Sequence, residues 1–175
     1  MATILSSEQS LEEMAKDKSI MFGFGTLRDT DYVGSILGTV PKNFDAVLEG
    51  YELFVQQGTD EHIPQFVKNV LANNWDLEKF RSLYPRKTGE GVLPGRAYYL
   101  TSEQEKKLDM WEFCEPGGWY HKEDVTIKDA KGKQYRAFVY TMNCPGKKIS
   151  SDTIWPLDLK DKQKMLALAK KMNAG

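Results

Sequence analysis

The chain has 175 residues, of which 28% are charged and 41% are hydrophobic, a composition that supports a buried core and argues against intrinsic disorder. Its 24 basic and 25 acidic residues give a formal net charge of −1, so charge gives no reason to expect nucleic acid or an anionic membrane as a partner. No apolar run is long enough to span a bilayer, and we expect a single soluble domain over residues 1–175.

The first predicted elements are a helix over residues 6–15, begun by a capping box between Ser6 and Gln9, and a strand over residues 19–24. A second helix is expected after Asp29 and Thr30, with apolar residues on one face. A strand or hairpin is then predicted over residues 46–55.

The end of the first strand carries two glycines, Gly23 and Gly25, followed by Thr26, Leu27 and Arg28. Glycine allows another molecule to approach the backbone where a Cβ would collide. The amides of Gly25, Thr26 and Leu27 are therefore candidates to meet an anion or a polarised carbonyl. The alternative is that the glycines only allow close packing of the strand.

Residues 58–80 differ in composition from their surroundings and are predicted to form two short helices. Asp60 is a capping residue and Pro64 suits a first helical turn. Apolar residues recur at helical spacing, with an interruption at Asn73 and Asn74, and the second stretch continues to Leu83. We expect packing or an interface here, then a flexible turn over residues 87–91 and a strand over residues 92–100.

The next predicted helix begins with a capping box between Ser102 and Glu105. Leu108, Trp111 and Glu112 fall on one face of it, which places a carboxylate on the apolar stripe in the last turn. The negative end of the helix dipole and partial burial both disfavour an ionised carboxylate, so Glu112 is a candidate general acid and base. The alternative is that Glu112 is a boundary residue that reaches solvent.

Two strands over residues 120–128 and 135–142 are predicted to form a hairpin through the turn at 129–132, because apolar and polar residues alternate in each. A terminal amphipathic helix is predicted over residues 159–172. Neighbouring strands with inserted helices favour an α+β fold rather than a doubly wound sheet.

The two cysteines, Cys114 and Cys144, predict free thiols in a reducing compartment, which favours the cytoplasm. No metal site is expected, because His62 and His121 lie far apart and neither has ligand spacing to a cysteine. Residues 1–16 have no basic start and no long apolar segment, so we expect no signal peptide.

Between residues 21 and 143 the chain resembles the γ-glutamylcyclotransferase-like, or AIG2-like, family. The stretches that carry the resemblance, in chain order, are residues 22–28 (the [YF]-G-[ST]-L loop), 46–51 (A-x-L-x-G-Y), 84–85 (Y-P), 92–95 (near V-x-G), 108–112 (L-D-x-[FY]-E), 120–125 (Y-x-R-x-x-V) and 137–140. Each motif is weak by itself, whereas the set in this order is specific.

The resemblance implies a small mixed β-barrel with surrounding helices and a cavity at its mouth. It also implies a reaction in which the α-amine of a γ-glutamyl group attacks its own γ-carbonyl, forming 5-oxoproline and releasing an amine or amino acid. Such chemistry acts on a small molecule and requires no metal and no cofactor.

The site residues that the resemblance implies are Glu112 as the catalytic acid and base, and the loop that holds the substrate through its amides. Candidate substrate-binding residues are Phe24, Gly25, Thr26, Leu27, Arg28, Tyr120 and Tyr140. Arg28 is a candidate partner for the substrate's α-carboxylate. Glu115 competes for the acid and base role, but its motif position is less favourable.

Three departures from the family pattern keep other functions open. Phe24 stands where many members have tyrosine, residues 121–123 replace the usual arginine pattern, and residues 58–80 are longer than in compact members. The long insertion is a candidate cover for the cavity or a contact in a homodimer. The alternatives are proton transfer, ring opening or isomerisation on another small substrate, and a non-catalytic ligand-binding module.

Overall fold

The structure, a computed structural model, describes residues 18–114, 118–142, 144, 146–150, 163 and 166–167. Among the described residues up to 150 the chain forms nine α-helices and β-strands: β1 (Ser19–Gly23), α1 (Thr30–Leu37), β2 (Asn43–Gln57), α2 (Gln65–Ala72), β3 (Arg81–Leu100), α3 (Ser102–Trp111), β4 (His121–Asp129), β5 (Gln134–Thr141) and β6 (Lys147–Ile149). A short 3-10 turn, Thr26–Arg28, follows β1. The predicted helix at 6–15, Glu115 and most of the predicted helix at 159–172 lie outside the described residues.

Five strands close into a mixed β-barrel. The order is β3-β1-β5-β4-β2, and β2 returns to pair with β3 along almost its whole length. The β1–β5 pair is parallel and the other pairs are antiparallel. The short strand β6 extends the sheet beside the second half of β2. With the three helices outside, this arrangement confirms the predicted α+β fold built on a small mixed barrel.

The two faces of the barrel wall carry separate hydrophobic clusters. In β1, Met21 belongs to one cluster and Phe22 to the other, and in β5 Phe138 and Val139 divide in the same way. This alternation follows from the two-residue period of a strand. One cluster includes helix residues such as Leu108 and is called here the helix-covered cluster. The other consists of strand residues and Phe24, and it fills the barrel.

The long β2–β3 pair corrects two predictions. Leu83 lies opposite Val55 in the sheet, so the second helix predicted before it is wrong, and α2 is the one α-helix of the described insertion. Pairing with β2 overrides the helical spacing of the apolar residues. Residues 87–91 are part of β3 rather than a free turn. They bulge out opposite Gly50, where the register shifts and Gly50 has a φ of 79°.

The start of α3 lies one residue earlier than predicted. The capping box is formed by Thr101 and Gln104, each side chain accepting from the other's backbone amide. The predicted pair, Ser102 and Glu105, is helical instead, and the Glu105 carboxylate accepts a hydrogen bond from Ser19 and pairs with Lys122. Both candidate pairs fit the motif, so spacing alone does not separate them.

The other predicted elements are found with small shifts at their ends. The α1 helix is capped by the Asp29 side chain and ends at Gly38, whose φ is 81°. The β4–β5 hairpin turns at Asp129, which accepts from the amides of Lys131 and Lys133. Among the helices of the described ranges, none combines the length and apolar character required to cross a membrane.

Candidate active site

The end of α3 is an unusual helix terminus. The amide of Cys114 donates to the carbonyl of Asp109, and the amide of Phe113 donates to the carbonyl of Met110. These two bonds make a Schellman motif, which requires a residue in the left-handed region. Phe113 occupies that position with a φ of 54° and is the non-glycine residue with positive φ among those described. Glu112 is the capping residue directly before it.

Aromatic packing holds Phe113 in this conformation. Its ring contacts Phe66 of α2 edge-on and lies 6.3 Å, centroid to centroid, from the ring of Trp119. Trp119 and Phe113 pack against the apolar cluster formed by Ile63, Val67 and Leu71. The insertion at 58–80 therefore contacts the residues that flank Glu112.

Glu112 has a strongly perturbed carboxyl group. The residue as a whole is partly exposed, and burial of its carboxyl group raises the pKa to about 8. Among the described residues, no side chain or amide hydrogen-bonds to this carboxyl. Burial without a hydrogen-bond partner favours the neutral carboxylic acid over the carboxylate.

Burial raises the pKa of the Tyr120 hydroxyl, and the charge of Glu112 raises it further; for Tyr140 the causes are burial, then the hydrogen bond to and the charge of Asp109, and then Glu112. Both hydroxyls are thus within electrostatic range of Glu112. Tyr120 donates its hydroxyl proton to the carbonyl of Leu83 at 2.7 Å. Tyr140 donates its proton to Asp109 Oδ1 at 2.7 Å. Because each hydroxyl already donates its proton to a hydrogen bond, each phenolic oxygen can only accept further hydrogen bonds.

Asp109 and Lys122 were missed by the sequence reasoning. The Lys122 ammonium lies 3.0 Å from Asp109 Oδ2 and 2.9 Å from Glu105 Oε2, while Asp109 Oδ1 holds Tyr140. Burial lowers the pKa of Lys122, but its hydrogen bonds to these two carboxylates outweigh that effect and raise it. The sequence feature that could have identified Lys122 as a site residue is its position two residues after Tyr120, where the family motif has arginine.

The predicted glycine loop lies on the same side of the barrel. Leu27 packs in the helix-covered cluster with Tyr120 and Tyr140, whereas a Cβ on Gly25 would meet the side chain of Leu83, which packs against the cluster that fills the barrel. Within the 3-10 turn, the amides of Arg28 and Asp29 donate the hydrogen bonds. The amides of Thr26 and Leu27 come before these in the turn and therefore donate no hydrogen bond within it.

Two of the loop positions also serve the fold. A Cβ on Gly23 would collide with the Leu27 carbonyl, so close packing does explain that glycine. Phe24 packs into the cluster that fills the barrel, away from Tyr120 and Tyr140. Arg28 is partly exposed, and its carbonyl accepts a hydrogen bond from the Tyr98 hydroxyl at 3.3 Å.

Metal-ligating side chains do not converge within the described ranges, where no three of histidine, cysteine, aspartate and glutamate come together. Cys114 and Cys144 are both free thiols.

Comparison with models of known protein families shows to which family the chain belongs. The family model described as gamma-glutamyl cyclotransferase, AIG2-like, matches residues 21–157, which is most of the sequence. The chain belongs to this family. None of the curated proteins compared with it matches.

Solved structures show the same fold as this member of the γ-glutamyl cyclotransferase, AIG2-like family. A structure named gamma-glutamyl cyclotransferase has a TM-score of 0.57 at 14% identity, over 86% of this chain and 87% of its own. An uncharacterised human protein gives the same score and identity, over 86% and 88%. A protein from Arabidopsis thaliana has a TM-score of 0.54 at 16% identity, over 90% and 88%.

Membership in the γ-glutamyl cyclotransferase, AIG2-like family supports an enzymatic role of the cyclotransferase type. At these sequence identities the solved structures show that the fold is shared, but they do not assign a substrate to this chain. The family motif that ends α3 contributes Asp109 and Glu112. Asp109 accepts the hydrogen bond that orients Tyr140. Glu112 supplies the carboxyl group with the raised pKa.

Proposed function

We propose that this protein is a γ-glutamylcyclotransferase-like enzyme that converts a γ-glutamyl group to 5-oxoproline and releases an amine or amino acid, with Glu112 as general acid and base. The observation that carries the proposal is the Glu112 carboxyl on the helix that ends at the site, whose burial gives it a pKa of about 8, close to neutral pH. In this proposal residues 1–175 form a single domain, and the insertion at 58–80 covers the site.

The reaction requires one group in the site that can accept a proton and later return it. The Glu112 carboxylate accepts a proton from the substrate's α-ammonium, and the free amine attacks the γ-carbonyl carbon. A new carbon–nitrogen bond closes the five-membered ring, and the bond from that carbon to the leaving nitrogen breaks. The Glu112 carboxylic acid then returns the proton to the leaving nitrogen, which departs with the electrons of the broken bond. The ring nitrogen still carries one proton more than the lactam, and this second proton passes through the Glu112 carboxylate to the released amine, so the products are the neutral lactam and an ammonium ion. A carboxyl with a pKa near neutral can both accept and return the proton.

The hydrogen-bond directions suggest how the substrate is oriented. The oxygens of Tyr120 and Tyr140 act as acceptors, so they suit the α-ammonium rather than the γ-carbonyl. The carbonyl oxygen, which becomes negative, is assigned to the amides of residues 25–27. Arg28 is assigned to the α-carboxylate.

Folding the glutamyl chain so that the amine meets its own carbonyl is the other requirement. Enforced proximity of this kind is worth up to about 7–11 kcal/mol in favourable systems. Phe113 and Trp119 pack against the insertion, and in this proposal that packing encloses one side of the site and restricts the conformation of the bound substrate.

The test is the release of 5-oxoproline from γ-glutamyl amino acids, γ-glutamyl amines and glutathione by wild type, Glu112→Gln and Glu103→Gln. Glu103 is an exposed acid on the first turn of α3 and serves as the control. We expect wild type and Glu103→Gln to turn over at least one substrate class. Loss of the general acid and base in Glu112→Gln should lower kcat by about 10²-fold or more. Equal turnover by a folded Glu112→Gln, or no product from wild type with any of these substrates, would contradict the proposal.

Phe24 supports a second candidate function. Its side chain packs among the apolar residues that fill the barrel, so this loop offers no phenolic hydroxyl where many relatives have one. The same Glu112 would then serve proton transfer, ring opening or isomerisation on another small substrate. A wild-type protein that binds 5-oxoproline weakly and turns over none of the γ-glutamyl panel would favour this candidate.

A further inference from the structure

Two buried polar side chains face each other on the barrel wall, and each has one polar atom without a hydrogen-bond partner. Gln56 is 1% exposed and Ser82 is 5% exposed, and the two residues are direct partners in the β2–β3 register. Neither Gln56 Nε2 nor Ser82 Oγ has a hydrogen-bond partner among the described residues. Such groups are rare in folded proteins, since each buried polar atom without a partner costs about 1–3 kcal/mol.

The orientation of the Gln56 amide is fixed by a neighbour. Trp119 Nε1 lies 3.0 Å from Gln56 Oε1, and an indole nitrogen can only donate. Gln56 Oε1 is therefore the acceptor, and Nε2 presents its two N–H groups elsewhere. Gln56 Nε2 is therefore a hydrogen-bond donor without an acceptor. The acceptor oxygen that it requires must come from outside the described side chains.

The pair lies on the same face of the barrel as Tyr120 and Tyr140. Gln56 and Ser82 point to the same face of the sheet as Phe54 and Tyr84, two residues away on each strand, and these belong to the helix-covered face. Ser82 is near enough to lower the pKa of Tyr120, against the larger rise caused by burial, although Ser82 Oγ makes no hydrogen bond of acceptable geometry. Tyr120 in turn neighbours Glu112.

The surroundings favour a neutral ligand atom. The Trp119 ring packs against Tyr120 at 4.9 Å and lies 6.4 Å from Phe80, so aromatic surfaces border the donors. Glu112 is a nearby titratable carboxyl, and in its ionised form it repels an anionic ligand. A carbonyl oxygen accepts from N–H and O–H donors without bringing a charge into this environment.

We propose that Gln56 Nε2 and Ser82 Oγ form a hydrogen-bonding subsite for a neutral carbonyl oxygen of the ligand. This inference rests on the proposed function for the identity of that atom, which is the γ-carbonyl oxygen of the substrate and becomes the lactam oxygen of the product. The two side chains act together with the loop amides. A side-chain amide that donates to a developing oxyanion is a known catalytic device.

The first experiment separates a ligand-binding role from a structural one. Ser82→Ala removes a buried hydroxyl that has no partner, so we expect a melting temperature equal to or above that of wild type. The same variant should lose about tenfold or more in kcat/KM for 5-oxoproline formation. The control is Thr141→Val, because Thr141 is a buried hydroxyl that donates to the carbonyl of Pro85, and its removal should lower the melting temperature.

The second experiment does not depend on turnover. Pyrrolidin-2-one, the neutral lactam ring without the carboxylate, is titrated into 15N-labelled wild type and Ser82→Ala. The Gln56 side-chain amide signals are assigned by their absence in Gln56→Glu. We expect these signals to shift on binding in wild type, and to require a higher lactam concentration in Ser82→Ala.

The outcomes distinguish failure of this subsite from failure of the proposed function. Wild type that releases no 5-oxoproline but shows the lactam shift at Gln56 contradicts the proposed function and supports the subsite. Lactam binding that leaves the Gln56 signals unmoved overturns the subsite. A Ser82→Ala protein that is less stable than wild type and equally active also overturns it, because that pattern belongs to a hydroxyl held by buried water.

Discussion

At the scale of single residues, Glu112 couples the site to the stability of the protein. Its carboxyl has a pKa of about 8 in the folded chain, against an ordinary value of 4.5, and burial is the cause. Between these two pH values the unfolded chain releases this proton while the folded chain retains it. Stability that is present below about pH 4.5 is therefore lost as the pH rises to about 8, with a slope of at most about 1.4 kcal/mol per pH unit.

Glu112→Gln should remove this dependence, because an amide does not titrate. We expect the free energy of unfolding of the variant, relative to wild type, to increase between about pH 5 and about pH 8.5. Urea unfolding of both proteins at several pH values measures this difference, in which contributions from the titratable groups that the two proteins share cancel. A constant difference across the range would show that the Glu112 carboxyl is solvated.

The sequence predicts this carboxyl but not its polar neighbours. Glu112 is found by helical spacing after Leu108 and by the motif, both of which are local signals. Gln56 and Ser82 lie 26 positions apart and come together through the register of two long strands, so no short motif contains them. Asp109 stands in the motif beside Glu112, but its link to Tyr140 depends on the placement of α3 against β5.

At the scale of elements, Phe113 determines where α3 ends and the direction in which Glu112 points. A left-handed phenylalanine costs about 1–2 kcal/mol in backbone energy, which the aromatic contacts with Phe66 and Trp119 offset. Sequence rules look for glycine or asparagine at such a position, so they miss this terminus. They also cannot choose between the two overlapping capping boxes at the start of α3.

A pair of substitutions at Phe113 tests the backbone conformation. Phe113→Ala and Phe113→Gly both remove the ring and should both destabilise the protein. Glycine adopts a positive φ without the Cβ penalty, so Phe113→Gly should be the more stable variant by about 1 kcal/mol. This order is the reverse of that in a helix interior. Chemical unfolding measures it, and an alanine variant as stable as the glycine variant would contradict the left-handed terminus.

At the scale of the whole molecule, one group of charges joins the helix to the barrel. Ser19 of β1 donates to Glu105 of α3 at 2.6 Å, and Lys122 of β4 bridges Glu105 and Asp109. Asp109 then holds Tyr140 of β5. Three barrel strands are thus tied to the helix that carries Glu112, so the charged group fixes the position of the site relative to the barrel.

A comparison of two ion pairs tests whether this link contributes more than surface electrostatics. Lys122 and Lys128 have equally exposed side chains, each at 34%. Asp109, however, is 20% exposed and already fixed by Tyr140, whereas Glu49, the partner of Lys128, is 55% exposed. Less side-chain entropy remains to be lost when Lys122 pairs with a carboxylate that is already ordered.

Double-mutant cycles measure the two couplings, with Lys122→Met and Asp109→Asn in one and Lys128→Met and Glu49→Gln in the other. Asparagine at position 109 retains an acceptor for Tyr140, so the first cycle isolates the loss of charge. We expect a coupling of about 1 kcal/mol or more for the first pair and below about 0.5 kcal/mol for the second. Equal couplings would mean that the link contributes no more than an exposed pair, and that apolar packing alone holds α3 against the barrel.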